Sequence, residues 1–379
     1  MKILLDARLY GLENAGLGRY VMNLVQNLAR LDRRNSYTIL LRKRYFNRIN
    51  LPPKWQKVEA DFRHYSLAEQ FRLPGIIAEM KPDIVHFPHF NVPLFYSGRF
   101  VVTIHDILMH KQKGLEATTL NPLVYVLKRL AYKTVFRHAV KKAAMVVVPS
   151  QFVKKQLTEY YRLNSQKLIV TYEGFDEKVL PLGNQTRTLK NYGLGAPYFI
   201  YTGNAYPHKN LRRLVEAIVM LNQRSDRRIY LAIASARDVF VKKIERMAAK
   251  LGAKDYVRIL GFVPDADLGV LYKNSVAFIF PSLSEGFGLT GLEAMSCGTL
   301  VLASEIPVFK EIYGPHALYF NPYDFTSIEG VARDTLKMEE GVRSELIAKA
   351  KEYAKKYSWD KMARQTLKVY EDSIGLRSG

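Results

Sequence analysis

Short apolar runs rich in β-branched and aromatic residues alternate along this chain with longer segments whose apolar positions recur at helical spacing. The runs predict strands at Lys2–Asp6, Tyr37–Leu41, Ile84–Phe87, Phe100–Ile104, Met145–Val148 and Leu168–Tyr172. A second series follows at Tyr198–Thr202, Ile229–Ala234, Val257–Leu260, Ala277–Phe280, Leu300–Ala303 and Ala317–Phe320. Helical segments fill most gaps, among them Arg19–Leu31, Pro122–Lys142, Leu211–Gln223, Val239–Leu251 and Gly341–Tyr357. Strand–helix alternation predicts α/β architecture with parallel sheets covered on both faces. Two such series predict two doubly wound domains. The break falls in Glu173–Pro197, which carries Gly174, Pro181, Gly183, Gly193, Gly195 and Pro197 and little apolar periodicity. We expect domains at 1–190 and 191–357. No internal repeat or low-complexity tract interrupts them.

Composition agrees with two globular domains: 379 residues, 48% apolar and 24% charged. This excludes a disordered, collagenous or disulfide-stapled chain. One cysteine, Cys297, excludes an internal disulfide and a cysteine-based zinc site and fits a reducing, cytoplasmic compartment. The longest apolar runs, such as Ala143–Pro149, fall far short of the roughly 20 residues of a membrane span. The start, Met1 to Asp6, reads as a first strand, because an acid stands where a signal peptide stays apolar.

Charge changes the picture. The net charge is +22. Residues 1–190 hold 31 basic and 14 acidic residues, against 26 and 21 in the remainder. A basic half beside a nearly balanced one implies an anionic partner: nucleic acid, an anionic membrane surface or a phosphorylated substrate. Basic, aromatic segments such as Arg42-Lys43-Arg44-Tyr45-Phe46 suit base stacking. No nucleic-acid recognition module accompanies them, so no nucleic acid is expected.

Ligands of open α/β sheets bind outside the carboxyl ends of strands, so chemistry is sought there. The strongest constellation is Glu285-Gly286-Phe287-Gly288-Leu289-Thr290-Gly291-Leu292-Glu293, after strand Ala277–Phe280. Its glycines admit close backbone approach, and the helix beginning near Leu289 directs its positive end at the same place. Carboxylates accept hydrogen bonds from sugar hydroxyls, so the set suits a phosphorylated sugar. A plain helix N-terminus with dipole-complementing acids is the bland alternative. Second is Tyr201-Thr202-Gly203-Asn204-Ala205-Tyr206-Pro207-His208-Lys209-Asn210, where Lys209 offers a point charge for phosphate or is the solvated lysine of an ordinary strand–helix loop. Third is Gly11 to Gly18, including Gly16, a close approach to a ligand or a simple tight turn; it lacks the third glycine of a dinucleotide fingerprint. Fourth is Thr103-Ile104-His105-Asp106. His86 and His89 also end a strand, but no third ligand at zinc-like spacing joins them, and no metal is expected. Ser150 reads as a helix cap.

These four constellations, in this order, resemble the retaining glycosyltransferases of family 4, which have the GT-B fold. Ala294-Met295-Ser296-Cys297-Gly298-Thr299 and the stretches Ala303–Pro307 and Ala317–Pro322 resemble its mannosyltransferase-like members. The resemblance implies two Rossmann-like domains facing across a cleft, the N-terminal one for the acceptor and the C-terminal one for a nucleotide-sugar donor. It also implies that a last helix, about 358–379, packs back on the N-terminal domain. Residue by residue, it assigns ribose hydroxyls to Glu293 and donor-sugar hydroxyls to Glu285. It assigns backbone contacts to Gly286, Phe287, Gly288 and Leu289, and the pyrophosphate to Lys209. His105 falls beside the sugar, Gly16 and Gly18 in the loop approaching the phosphates, and Phe262 and Val263 against the base. The catalytic residues implied are His105, Glu285 and Lys209. Two positions depart from the pattern. Asn204 stands where many members have a pyrophosphate-binding arginine, leaving Lys209, Arg212 or Arg213 to supply the charge, and Ala15 replaces a common glycine.

The implied reaction is transfer of a hexose, best taken as mannose from GDP-mannose, to a glycan or lipid-linked acceptor. It proceeds by front-face attack with no cofactor and no metal, the leaving phosphate taking the acceptor proton. The excess of basic charge adds an anionic membrane surface as partner and a peripheral position on the inner face of the membrane. Candidate contacts are Arg42–Arg48 and the helical stretch of Lys128, Arg129, Lys133, Arg137, Lys141 and Lys142, interleaved with Leu127, Leu130, Tyr132 and Phe136; a solvated basic surface is the bland alternative. Rival readings are a GT-B sugar-nucleotide epimerase or phosphorylase and a non-catalytic polyanion-binding module.

Overall fold

A computed structural model of the chain describes residues 1–111, 121–175, 179–181, 183–195, 197–236 and 239–375. The chain divides into two compact units, Met1–Glu173 with the segment returning from Ser358, and Gly174–Tyr357. The expected helix end at 376–379, and residues 176–178, 182 and 196 of the expected break, lie outside the described residues.

The first unit holds β1 (Lys2–Asp6), β2 (Ser36–Leu41), β3 (Trp55–Glu59), β4 (Ile84–Phe87), β5 (Phe100–Thr103), β6 (Met145–Val148) and β7 (Leu168–Val170). Their order is β3-β2-β1-β4-β5-β6-β7, parallel throughout. β4 and β5 are buried along their whole length, as a sheet covered on both faces requires. The seventh strand, β3, is one more than the pattern predicts. Trp-Gln-Lys-Val-Glu is too polar to read as a strand, and an edge position tolerates it. Trp55 stacks on Tyr37 at 4.1 Å, and Lys57 Nζ donates to the carbonyls of Phe46 and Ile49.

The second unit holds β8 (Tyr198–Thr202), β9 (Tyr230–Ala234), β10 (Val257–Ile259), β11 (Ala277–Phe280), β12 (Val301–Ser304) and β13 (Leu318–Phe320), in the order β10-β9-β8-β11-β12-β13, again parallel. It starts at Gly174, earlier than the expected 190/191 boundary. Packing explains the correction. The Val179 carbonyl accepts from Cys297 Sγ at 3.2 Å and lies where Gly269 has no side chain. The helix Gln185–Asn191 packs on the helix Asp265–Lys273, and Tyr192 OH donates to Asp267 at 2.9 Å.

The helix Trp359–Gly375 belongs to the first unit and lies against the helix Ala15–Leu31, β5 and β6. His86 Nδ1 meets Tyr370 OH at 2.6 Å, while Arg99 donates to the carbonyl of Ser373. Arg30 pairs with Asp360 at 2.5 Å. Ser150 caps the helix Gln151–Tyr161, as its sequence position implies, accepting from Val153 N–H at 3.2 Å.

Just past β1, Arg8 is buried between two carboxylates. Its guanidinium reaches Asp6 at 2.7 and 2.8 Å and Glu69 at 2.6 Å. Burial pushes the Asp6 carboxyl up, but the charge and hydrogen bonds of Arg8 outweigh it and hold the group below its ordinary value. At Glu69 burial wins over Arg8, and the carboxyl stays above its ordinary value. Arg8→Met leaves both acids buried without their cation, and is expected to cost about 3–5 kcal/mol. Denaturant unfolding of the variant measures it; a loss below about 1 kcal/mol would show that the cluster is not a structural keystone.

Candidate active site

In each sheet the chain order reverses once, between β1 and β4 and between β8 and β11. Crevices at such reversals are where open α/β sheets hold ligands. The predicted site residues follow β1, β5, β8, β10 and β11.

In the second unit two loops leave the adjacent strands β8 and β11. The first runs through a short turn, Pro207–Lys209, into the helix Leu211–Gln223. The second carries the glycine loop into the helix Leu289–Ser296. Lys209 Nζ meets Glu285 Oε1 at 2.5 Å, both side chains almost buried, at 14% and 12% exposure. Leu283 N–H donates to the His208 carbonyl at 2.8 Å. Asn210, in the left-handed region at the helix start, donates from Nδ2 to the carbonyls of Pro281 at 3.0 Å and Pro322 at 2.8 Å. One amide thus ties the ends of three strands. His208 is pushed down to about 4 by burial and then by the charge of Lys209, so it is neutral at pH 7.

The glycine loop rests on Tyr313. Tyr313 OH donates to the Gly288 carbonyl at 2.5 Å, and a Cβ at Gly288 or Gly291 would fall within 2.4 Å of that hydroxyl. Gly288 also has φ 108°, which L side chains rarely adopt. Phe287 is buried with its ring edge-on to Tyr357 at 5.7 Å. Gly286 and Leu289, on either side, stay partly exposed. Glu293 lies one turn into the helix, 1% exposed. Phe262 is strongly exposed beside buried Val263, following β10.

The Asn204 backbone carbonyl accepts from Tyr201 OH at 2.6 Å, and its side-chain Oδ1 accepts from Tyr206 N–H of the same loop at 3.5 Å. Arg212 pairs with Glu216 at 3.0 Å on the exposed helix face, and Arg213 donates to Asn210 Oδ1 at 3.0 Å. One Asp-x-Asp, Asp265 and Asp267, opens the helix Asp265–Lys273; Asp267 accepts from Tyr192.

In the first unit His105 Nδ1 faces Glu173 Oε1 at 3.1 Å and Nε2 faces the Pro88 carbonyl at 3.0 Å. Both ring nitrogens thus meet acceptors. Tyr20 packs edge-on at 4.7 Å, and its OH lies 3.1 Å from Thr103 Oγ1, which also contacts His86 Nε2 at 2.8 Å. The hydrogen-bond chain Tyr370–His86–Thr103–Tyr20 therefore supports the ring of His105. His86 is buried and pushed down to about 3 by desolvation. Gly16 and Gly18 lie in the helix Ala15–Leu31, not in a loop as expected, because the helix already starts at Ala15. They differ sharply. A Cβ on Gly18 would sit 1.8 Å from the Gly11 carbonyl, whereas Gly16 faces open space.

Sequence reasoning missed Tyr313 and Glu173, and it placed Asn210 in the second constellation without giving it a role. An asparagine before a helix signals a cap; nothing in the pattern marks Tyr313, whose partner is distant in sequence.

A family profile described as "Glycosyl transferases group 1" matches residues 187–357, and one described as "Glycosyltransferase Family 4" matches residues 15–179. The chain belongs to glycosyltransferase family 4. It is an enzyme of the glycosyltransferase class, with two Rossmann-like domains of the GT-B fold. O-antigen chain mannosyltransferase B of Escherichia coli is 28% identical over 316 residues, 81% of this chain and 79% of the relative. O-antigen chain mannosyltransferase RfbU of Salmonella typhimurium is 27% identical over 277 residues, 72% of this chain and 69% of the relative. Among solved structures, sucrose-phosphate synthase from Thermosynechococcus elongatus shares the fold with a TM-score of 0.80 at 18% identity, covering 99% of this chain and 100% of that one. HepE of Anabaena, solved with UDP and glucose, gives 0.74 at 16%, covering 98% and 100%.

The two helix glycines of this family 4 chain are separable by experiment. Gly18→Ala is expected to cost about 1–3 kcal/mol through overpacking. Gly16→Ala is expected to be neutral or to stabilise by up to about 1 kcal/mol. Thermal unfolding of both variants checks this. Loss of turnover in Gly16→Ala without loss of stability would mark a ligand contact; unchanged turnover would remove Gly16 from the site.

Proposed function

We propose that this glycosyltransferase moves a mannosyl residue from a nucleotide-sugar donor, GDP-mannose in the first instance, to a glycan or lipid-linked acceptor with retention of configuration. The observation that carries the reading is the Lys209–Glu285 pair at 2.5 Å, beside a glycine loop that opens a helix. The curated names of its relatives, O-antigen chain mannosyltransferases, favour mannose and a polysaccharide product.

The chemistry follows from the donor set. An ammonium has three N–H donors. Lys209 directs one at Glu285 and keeps two for phosphate oxygens. Glu285, fixed by that bond, has its other oxygen for sugar hydroxyls. As the glycosidic bond breaks, negative charge grows on the β-phosphate. Lys209 and the first N–H groups of the helix Leu289–Ser296, reinforced by its dipole, stabilise it. Glu293 receives the ribose hydroxyls, and Phe262 covers the base. His105, held through both nitrogens, is the catalytic candidate of the first unit. The leaving phosphate takes the acceptor proton on the same face, and no metal or other cofactor takes part. The enzyme works in the cytoplasm, peripheral to the inner face of the membrane.

A thermal-shift screen of sugar nucleotides and free nucleoside diphosphates tests the donor, because a ligand stabilises the fold it binds. GDP and GDP-mannose are expected to raise Tm most; a larger rise with uridine nucleotides overturns the base and the sugar. Glu293→Ala is expected to weaken nucleoside diphosphate binding by about 1.5–3 kcal/mol, the value of a hydrogen bond to a charged group. Glu285→Ala is expected to spare that binding and lower turnover. Equal loss of diphosphate affinity in both, by calorimetry, would refute this division. Turnover is expected to survive EDTA. Loss restored by Mn²⁺ or Mg²⁺ would refute the metal-free mechanism and make Asp265 and Asp267 the first residues to test.

A further inference from the structure

The basic excess of the first half is not spread evenly. In Arg42–Arg48 part of it is neutralised: Arg42 pairs with Asp61 at 3.0 Å and Arg44 with Glu13 at 3.3 Å. The helix Pro122–Lys142 differs. Lys133, Arg137 and Lys141 recur along one face, and with Tyr160, Tyr161 and Arg162 they line an open cavity of about 480 Å³. Among the described residues, no carboxylate lies within ion-pairing distance of these four cations; the nearby Glu159 is engaged by Lys155.

The wall of the cavity is rigid. Tyr161 stacks on Phe136 at 5.6 Å and bonds to His110 Nε2 at 2.5 Å, and Tyr132 OH holds His110 Nδ1 at 2.7 Å. Lys141 Nζ is fixed on the Tyr161 carbonyl at 2.7 Å. Arg162 takes the left-handed position at the end of the helix Gln151–Tyr161, φ 51°, where glycine is the unstrained residue. Strain is therefore spent on putting a cation at the rim. One and two turns before Lys133, on the same helix face, Leu130 and Val126 are 57% and 53% exposed, and Leu127 beside them 68%. From Val126 to Lys141 the stripe runs about 22 Å at 1.5 Å per residue. Its start is apolar and its end is cationic.

We propose that this stripe docks the enzyme on an anionic lipid surface, the cavity of Lys133, Arg137, Lys141 and Arg162 taking lipid phosphate while Val126, Leu127 and Leu130 enter the acyl boundary. The apolar-to-cationic order matches the depth order of acyl chain and phosphate. The proposal deepens the membrane-surface reading above, locating it on one helix and removing the Arg42–Arg48 segment from it.

Vesicle flotation of the full chain, without donor or acceptor, tests it. Binding is expected on phosphatidylcholine vesicles containing phosphatidylglycerol, absent from phosphatidylcholine alone, and released by salt. Each charge near such a surface contributes about 1 kcal/mol, so Lys133→Gln with Arg137→Gln is expected to lower partitioning about 25-fold. Arg162→Gly lowers it about 5-fold with Tm unchanged or raised, because glycine accepts the left-handed backbone. Leu130→Gln weakens binding without changing its salt dependence. Arg42→Gln with Arg44→Gln changes nothing. Wild-type binding in the Lys133/Arg137 variant, equal binding to neutral vesicles, or none to either overturns the proposal. So does a thermal shift with inorganic pyrophosphate that these substitutions abolish while vesicles are ignored, which would make the cavity a site for soluble phosphate. Full vesicle binding beside turnover on a lipid-free glycan alone would refute the lipid-linked acceptor and leave the docking surface standing.

Discussion

The Lys209–Glu285 pair joins two loops that the sheet sends in opposite directions. β8 and β11 are neighbours in space, yet the chain leaves β8 toward β9 on one side and leaves β11 toward β12 on the other. A crevice between diverging loops is a ligand site by topology and a weak point by mechanics. Three contacts close it: the ion pair, the amide of Asn210 on two carbonyls, and Leu283 N–H on the His208 carbonyl. Desolvating two charges costs free energy that their attraction only partly returns. The pair is therefore best understood as positioning. It sets a cation and a carboxylate in place before any ligand arrives, which is what electrostatic stabilisation of a leaving phosphate requires.

The same accounting separates the other buried and clustered charges. Around Arg8 every ion is compensated within 3 Å: one guanidinium serves Asp6 and Glu69, and Glu69 also accepts from Tyr65 N–H at 2.8 Å. That cluster stiffens the end of β1, with Arg8 Nη1 buried and without a hydrogen-bond partner among the described residues. The four cations beside Tyr161 are the reverse case. They repel one another, stay exposed, and have no described acid within ion-pairing distance. Solubility alone needs charge spread over the surface rather than concentrated in a cavity with an arginine in a strained backbone at its rim.

Most of the architecture was legible because buried parallel strands are short, apolar and followed by helical periodicity. β4, β5, β11 and β12 are buried from end to end and could hardly be misread. β3 escaped because only Trp55 among its five residues is buried. The domain boundary was set too late because Val179 and the helix Gln185–Asn191 carry weak local signals and are held by distant partners. At the site, the acids, glycines and Lys209 follow strands directly and could be named. Tyr313 and Glu173 could not, since their roles exist only through contacts made across the fold with Gly288 and His105.

Glycine-rich strand–helix turns have two physical origins, and this chain contains both. Gly18 is held by the Gly11 carbonyl, and Gly288 and Gly291 by the Tyr313 hydroxyl. Those contacts exist without any ligand, so these glycines are explained by packing whatever the enzyme binds. Gly16 has no protein atom opposite its missing side chain and sits exposed in the first turn of a helix, where glycine carries a propensity cost relative to alanine. Packing gives no reason for it. The proposed donor phosphate is one ligand that would account for it, since the N-terminal end of a helix favours an anion. Gly75 and Gly341 are helical and face open space as well, so an empty Cβ position by itself assigns no ligand, and only the position of Gly16 in the first turn after β1 sets it apart.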